Sequence, residues 1–366
     1  MTSQPNILLI YTGGTIGMMK DFETGALKAF NFKKLLQKIP ELKQLDCQIE
    51  TISFQNPIDS SNMNPEKWVQ IASMIEEKYH SFDGFVVLHG SDTMSYSASA
   101  LSFMFENLSK PIIFTGSQLP IGDLRTDAKE NLITAIQIAS LRIKNKPVVQ
   151  EVCLYFEYKL YRGNRTTKIN AEHFKAFASP NFPALAESGV HLNVNQQALL
   201  PVSRMKKLVV HKQLDEQVMI LKMFPGINES VLTSVFSIPT LKGIVLETYG
   251  SGNAPTEEWF INLLKKAIKN GLHIINVTQC TGGTVSMGHY ETSIGLKKIG
   301  VISGKDITTE AAITKLMYLL GQNLFSITSF TGFDYEVSGL SANGIGIAGY
   351  GIPHSKSITF GITTNF

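Results

Sequence analysis

The sequence predicts an α/β protein of two domains: a larger N-terminal one on a doubly wound, mostly parallel sheet, and a smaller C-terminal α/β one. Three observations predict it. Short, uninterrupted apolar runs alternate with segments of helical period, the pattern of parallel strands covered on both faces. The 366 residues are enough for two domains of ordinary size. The alternation lapses once, over 191–213, and then resumes.

The first strand is expected at 6–11 (NILLIY), followed by strands at 47–54, 84–89, 111–115 and 150–156. A helix should begin after Asn64, a good N-cap, with Pro65 at its first position and Glu66 in its first turn. Trp68, Ile71, Ala72, Ile75 and Tyr79 then share one face. Segments 93–108 and 127–142 read the same way, and together these elements make a domain over 1–190. Residues 191–213 are rich in Asn, Gln and Lys with weak periodicity and read as a connection. A second series follows over 214–321, with strands near 216–224, 243–248 and 272–278 and helices near 256–270 and 309–320. Residues 322–366 change texture: Gly, Ser, Thr and aromatics dominate, no helix is evident, and the end (SITFGITTNF) alternates like a strand.

Composition narrows the function. Thirty-three basic against 30 acidic residues leave a net charge of +3 without a dense Lys/Arg run, which argues against nucleic acid or an anionic membrane as partner. Cys47, Cys153 and Cys280 are far apart and form no C-x-x-C, so neither a disulfide framework nor a zinc site is expected. The start (MTSQPNILLIY) has no basic leader pattern, and no apolar stretch approaches the ~18 residues of a spanning helix. A cytoplasmic location is therefore expected.

Three N-terminal strands end in similar small polar turns: YTGGT (11–15), HGSDT (89–93) and TGSQ (115–118). In open parallel sheets ligands bind beyond the carboxyl ends of strands, so Thr12, Thr15, Ser91, Asp92, Thr93 and Ser117 should surround one crevice. One TGGT alone is more often a tight turn than a site, and the string recurs at 281–284; the convergence of three turns is what raises the first copy. Nucleotide binding is disfavoured, since TGGTIG is neither G-x-G-x-x-G nor followed by G-K-[ST]. A hydroxyl nucleophile needs an adjacent base, and Asp92 and Lys168, the latter in YRGNRTTKIN (161–170), are candidates. Asp59, Ser60 and Ser61 in NPIDSSNM (56–63) could clamp an ammonium and a carboxylate, although such clusters are usually turns and caps. His89 reads as structural. On residues alone, Thr12, Thr15, Ser91 and Thr93 remain equivalent as nucleophiles.

YTGGTIGMM, FVVLHGSDTMSYSASALSFMFENL, KPIIFTGSQLPIGDLRTDAKENL, YRGNRTTK, FASPN, YGSGNAP and GVISGKDITTEAAITKLMYLL together resemble the bacterial-type L-asparaginases, most closely their cytoplasmic type I branch, over residues 6 to about 321. The resemblance implies hydrolysis of L-asparagine to L-aspartate and ammonia without metal or cofactor, in a homodimer or homotetramer. It implies Thr15 as nucleophile and Ser91, Asp92 and Lys168 as a proton-relaying triad. Asp59, Ser60 and Ser61 would hold the α-amino and α-carboxylate groups, Ser117 would lie near the leaving amide, and Asn253 would reach a neighbouring chain's site. A glutaminase-asparaginase, an amidotransferase subunit and a non-catalytic amino-acid-binding module are the alternatives. The chain departs from the family pattern in four places. Ser91 replaces the usual first Thr of HGTDT, the stretch at 20–30 lacks the usual lid Tyr, and Glu247 stands where a basic residue can serve a regulatory site. The tail from about Asn323 resembles instead the end of SusC-type TonB-dependent outer-membrane receptors, as in a fusion or chimeric sequence.

Overall fold

The computed structural model describes residues 4–20, 27–29, 39–201, 207–288 and 291–324. They fall into two compact units, one up to Lys212 and one from Gln213. The tail expected to resemble a receptor falls, from residue 325 on, outside the described residues, as does most of the stretch at 20–30.

The first unit is built on an eight-stranded sheet. β1 (Asn6–Gly13) lies between β2 (Gln48–Ile58) and β3 (Gly84–Leu88), parallel to both, with Leu9 opposite Thr51 on one side and Val86 on the other. β4 (Ile112–Thr115) and β5 (Val152–Phe156) continue the parallel run beyond β3. Ile7 to Tyr11 are all buried, so both faces of the central strand are covered, which explains its unbroken apolar run. Three helices provide the cover. α1 (Pro65–Lys78) starts at Asn64, whose side chain accepts the Lys67 N–H at 3.0 Å. The Trp68 indole N–H of α1 donates to Ser97 of α2 (Met94–Met104) at 2.8 Å and ties the two helices together. On the other face α3 (Ala128–Ser140) brings Leu132, Ala135 and Ile136 into one core with Ile7, Leu9 and Tyr11.

Three strands at the far side were not foreseen. β6 (Lys159–Arg162) turns back antiparallel on β5 through Glu157 and Tyr158, both at positive φ, and the Glu157 N–H is held by the Asn131 side chain at 3.0 Å. β7 (Ala186–Ser188) and β8 (Leu192–Val194) extend the edge. β8 lies inside the segment read as a connection, and Val209–Val210 pairs with Phe105–Glu106, where the helix expected to reach 108 has already ended at Met104. β8 and Val209–Val210 thus pair with strands of the first unit. Edge strands of two or three residues with a solvent face are too short to show a period, which is why they read as linker.

The second unit has a four-stranded parallel sheet in sequence order, β9 (Val218–Lys222), β10 (Gly243–Thr248), β11 (His273–Thr278) and β12 (Ile302–Ser303). α5 (Glu258–Lys269) and α7 (Thr309–Gly321) lie where the sequence expects helices. α4 (Glu229–Phe236), capped by Asn228, and α6 (Glu291–Lys298) are additions; at eight residues each they span barely two turns, too little for a clear repeat. Among the described residues no helix is long and apolar enough to cross a membrane, and no group of three or more His, Cys, Asp or Glu side chains could hold a metal ion.

Candidate active site

The strand order β2-β1-β3-β4-β5 reverses between β1 and β3, and a crevice opens beyond the carboxyl ends of strands at such a reversal. Those ends are the turns at Gly13 to Thr15 and at His89 to Asp92. Glycine lets them meet. Gly14 has φ 85°, and a Cβ there would stand 2.5 Å from the Gly90 nitrogen; a Cβ on Gly90 would stand 2.5 Å from Ser60 Oγ. Backbone from three strand tips is thus packed closer than side chains allow. The Gly14 N–H donates to Ile58 O at 3.2 Å, and Thr93 Oγ1 donates to Ser60 O at 2.8 Å, so the β2 tip is held from both sides.

These contacts separate hydroxyls that the sequence leaves equivalent. Thr12 is buried and donates to Leu88 O at 2.9 Å, inside the sheet. Thr93 is engaged with Ser60. Ser91 donates to Gln118 Oε1 at 3.0 Å and accepts from Lys168 Nζ at 2.8 Å. Thr15 opens the short 3-10 turn Thr15–Gly17, is half-buried, and its hydroxyl has no partner among the described residues.

Lys168 reaches the crevice from a firm base. The buried Arg162 guanidinium meets Glu151 Oε2 at 2.6 Å and Ala198 O at 2.8 Å, which fixes the start of the turn Gly163–Arg165. Thr167–Lys168 then pairs antiparallel with Phe177–Ala178, and Phe177 packs on Phe156 with ring centroids 4.9 Å apart. From there Nζ donates to Ser91 Oγ and, at 2.7 Å, to Asp92 Oδ1. The Lys168 side chain is 18% exposed and that of Asp92 65%, so this ion pair adds little stability, of order 1 kcal/mol or less, and serves mainly to orient its members.

Asp59 caps the turn Ser60–Asn62. Its Oδ1 accepts both the Ser61 N–H at 2.8 Å and the Ser61 hydroxyl at 2.7 Å, and these two bonds, the backbone one first, hold its carboxyl below the usual range. Both bonds end on Oδ1. Ser60 is buried beneath Gly90. Ser117 is also buried, and its hydroxyl is used within its own turn, donating to Leu119 O at 2.6 Å. Asp127 takes the Gln118 and Leu119 N–H groups; burial pushes its carboxyl up against the pull of those donors. Thr15, Ser60, Ser91, Asp92 and Lys168 therefore belong to one cluster of strand tips, with Asp59 and Ser61 beside it and Ser117 in the adjoining turn. Asn253 belongs to the second unit, where its backbone closes a turn with Tyr249.

One residue here escaped the sequence reading. Gln118 lies in the TGSQ turn but drew no attention beside Ser117. His89 is wholly buried, and its partners fix its state. Gly90 O can only accept, so His89 Nδ1–H donates to it at 2.7 Å; in the neutral ring Nε2 is then bare and accepts the Ser97 hydroxyl at 2.8 Å, while Ser97 Oγ accepts the Trp68 indole N–H. The ring is neutral, and burial pulls its pKa down to about 4. Unfolding restores an ordinary imidazole, so the unfolded chain binds the extra proton as pH falls from about 6.5 to about 4. The folded protein should thus lose up to about 3 kcal/mol across that window on this account. His89→Gln keeps an acceptor and a donor but does not titrate. Urea denaturation at pH 7 and pH 4 should show the wild type losing more stability than the variant; equal losses would mean that His89 is not held neutral.

A mostly parallel sheet with a hydroxyl, a carboxylate and an ammonium gathered at its order reversal defines an open α/β protein with a polar small-ligand site at its strand tips. The chain belongs to the asparaginase family: residues 6–200 match Asparaginase, N-terminal, and residues 217–329 match Glutaminase/Asparaginase C-terminal domain. It is 43% identical over 320 residues to L-asparaginase 1 of Escherichia coli (strain K12), covering 87% of this chain and 93% of that protein. It is 40% identical over 343 residues to the 60 kDa lysophospholipase of Mus musculus, covering 88% of this chain and 60% of the mouse protein. The crystal structure of L-asparaginase I from Vibrio cholerae O1 biovar eltor str. N16961 superposes with a TM-score of 0.80 at 40% identity, covering 88% of this chain and 94% of that one. These similarities support the type I bacterial branch and do not extend to the receptor likeness expected of the tail.

Proposed function

We propose that this protein hydrolyses L-asparagine to L-aspartate and ammonia, with Thr15 as nucleophile. The observation that carries the reading is the pairing of a half-buried Thr15 hydroxyl, without a partner among the described residues, with an assembled Ser91, Asp92 and Lys168 cluster on the adjoining strand tip. Thr15 Oγ attacks the side-chain amide carbon, and its proton enters the relay: Ser91 Oγ takes it and hands its own to Lys168 as Lys168 Nζ gives one to Asp92 Oδ1. The tetrahedral adduct collapses, the amide nitrogen leaves as ammonia with a proton returned to it, and a β-aspartyl ester remains on Thr15. Water, deprotonated by the same relay, opens the ester to aspartate and restores the threonine. Asp59, anionic and oriented by Ser61, offers the substrate ammonium its Oδ2, which accepts no hydrogen bond among the described residues, with Asp92 as a second negative charge; Ser60 and Ser61 complete the clamp. Ser91 supplies the same hydroxyl as a threonine would, with one methyl less.

On this reading the enzyme works in the cytoplasm as a homodimer or homotetramer, with Asn253 contributing to a neighbouring subunit's site, which native mass spectrometry checks. The deciding assay is ammonia release, coupled to reductive amination of 2-oxoglutarate, from L-asparagine and from L-glutamine. Release from asparagine at tens per second or less, within the usual range of enzymes, is the expected result. Binding of asparagine by calorimetry without release would make the protein a binding module instead.

A further inference from the structure

Gln118 touches no residue assigned a step above, except one: it holds the proton of Ser91. Its orientation is not a matter of choice. The Nε2 amide donates to Ala171 O at 3.0 Å and to His173 O at 3.1 Å, two carbonyls that can only accept. Oε1 therefore faces Ser91, and because a carbonyl cannot donate, the Ser91 O–H donates to it at 3.0 Å. With that proton committed, Ser91 can offer Lys168 only a lone pair, and Lys168 Nζ donates at 2.8 Å. Gln118 thus fixes where the Ser91 proton points, while the Lys168 ammonium, which can only donate, fixes the bonds to Ser91 and Asp92. The amide's own backbone is anchored as well, its N–H donating to Asp127 Oδ2 at 2.9 Å.

We propose that Gln118 is a positioning residue, which holds the Ser91 proton away from Lys168 and pins the segment that carries Lys168. The proposal rests on reading Ser91, Asp92 and Lys168 as the relay. In the resting arrangement the lysine is the donor and the serine proton is parked on Gln118. To pass a proton toward Lys168, the Ser91 hydroxyl must swing off Gln118, so the amide sets the state from which each cycle starts. The same side chain spans two tips of the fold, the turn after β4 and the loop after Lys168, which no other side chain among the described hydrogen bonds does here. The charged groups that face it are Lys168 and Asp92 through Ser91, and Asp127 on its backbone side.

Two variants separate the roles. Gln118→Leu removes both the acceptor for Ser91 and the donors to the loop; kcat for asparagine should fall about 10- to 100-fold with KM changed less than threefold. Gln118→Glu keeps the acceptor and loses the donors, and it adds a negative charge next to the relay. Its acidic limb of kcat against pH should move upward by about one unit, as expected for a like-sized charge a few ångströms from a proton-transferring group. A glutamine that served stability alone would lower the melting temperature without moving that limb or splitting kcat from KM. Hydrogen exchange by mass spectrometry, which needs no turnover, reads the loop: amides of 169–175 should exchange at least tenfold faster in both variants. Unchanged kcat in Gln118→Leu, an unmoved limb in Gln118→Glu, or unchanged exchange over 169–175 would each overturn the proposal. Failure of the wild type to release ammonia would instead overturn the reading beneath it, while the exchange measurement would still judge the pinning of the loop.

Discussion

Thr15→Ala should abolish turnover of L-asparagine, with kcat reduced about 10⁴-fold or more, while Thr284→Ala remains within about threefold of the wild type. The two threonines close identical TGGT strings, so the contrast isolates position from composition. The first string lies where strand order reverses and abuts Gly90 and, through it, Ser60 and the Ser91 turn. The second follows β11 in the other unit, whose strands run in plain sequence order, and all four of its residues are exposed. Removing a hydroxyl and a methyl from a half-buried surface turn costs little folding energy, so Thr15→Ala should bind asparagine with near-normal affinity by calorimetry. A loss of about 10⁴ in rate corresponds to roughly 5 kcal/mol of barrier, far above any repacking effect of a threonine methyl at this position. Thr15→Ser keeps the attacking oxygen and should retain measurable turnover. If Thr15→Ala turns over within tenfold of the wild type, the nucleophile is another hydroxyl, and if Thr284→Ala is the inactive one, the site lies in the second unit.

What the sequence made legible was governed by length and burial. β1, β3, β4 and β5 are buried on both faces and show as continuous apolar runs, and α1 announces itself through Asn64, Pro65 and a five-residue stripe. β7, β8 and the pairing of Val209–Val210 are too short and too exposed to carry a period, and so residues 191–213 read as a connection although β8 and Val209–Val210 pair with strands of the first unit. The candidate site shows the same divide. The polar turns were visible because strand ends are visible, and their gathering was expected because parallel sheets focus ligands there. Which hydroxyl is unengaged was not visible. Thr12 and Thr15 differ only in whether a carbonyl of the next strand, Leu88 O, lies within reach, and that is a matter of register. Gln118 was missed for a related reason: an amide matters here through three partners at residues 91, 171 and 173, none near it in sequence.

Lys168→Met should lower kcat by about 10²- to 10⁴-fold, the range that loss of a positioned proton-transfer group produces. The substitution preserves the length of an unbranched chain and removes only the amine. Its effect on folding should be slight, because the partner left behind, Asp92, is largely solvated: a carboxylate in water does not need its counterion, whereas a buried one would. A melting temperature within a few degrees of the wild type is therefore expected alongside the large kinetic loss, and that combination distinguishes a relay from a structural tie. Lys168→Arg is a sharper control. It retains the positive charge, but its planar guanidinium is wider than the ammonium that fits between Ser91 Oγ and Asp92 Oδ1, and it does not give up a proton near neutral pH. If charge beside Asp92 were all that mattered, the arginine variant would recover most of the activity. If a proton must move, it stays nearly as slow as the methionine variant. Turnover within tenfold of the wild type in Lys168→Met would remove the lysine from the mechanism and leave Asp92 as the base.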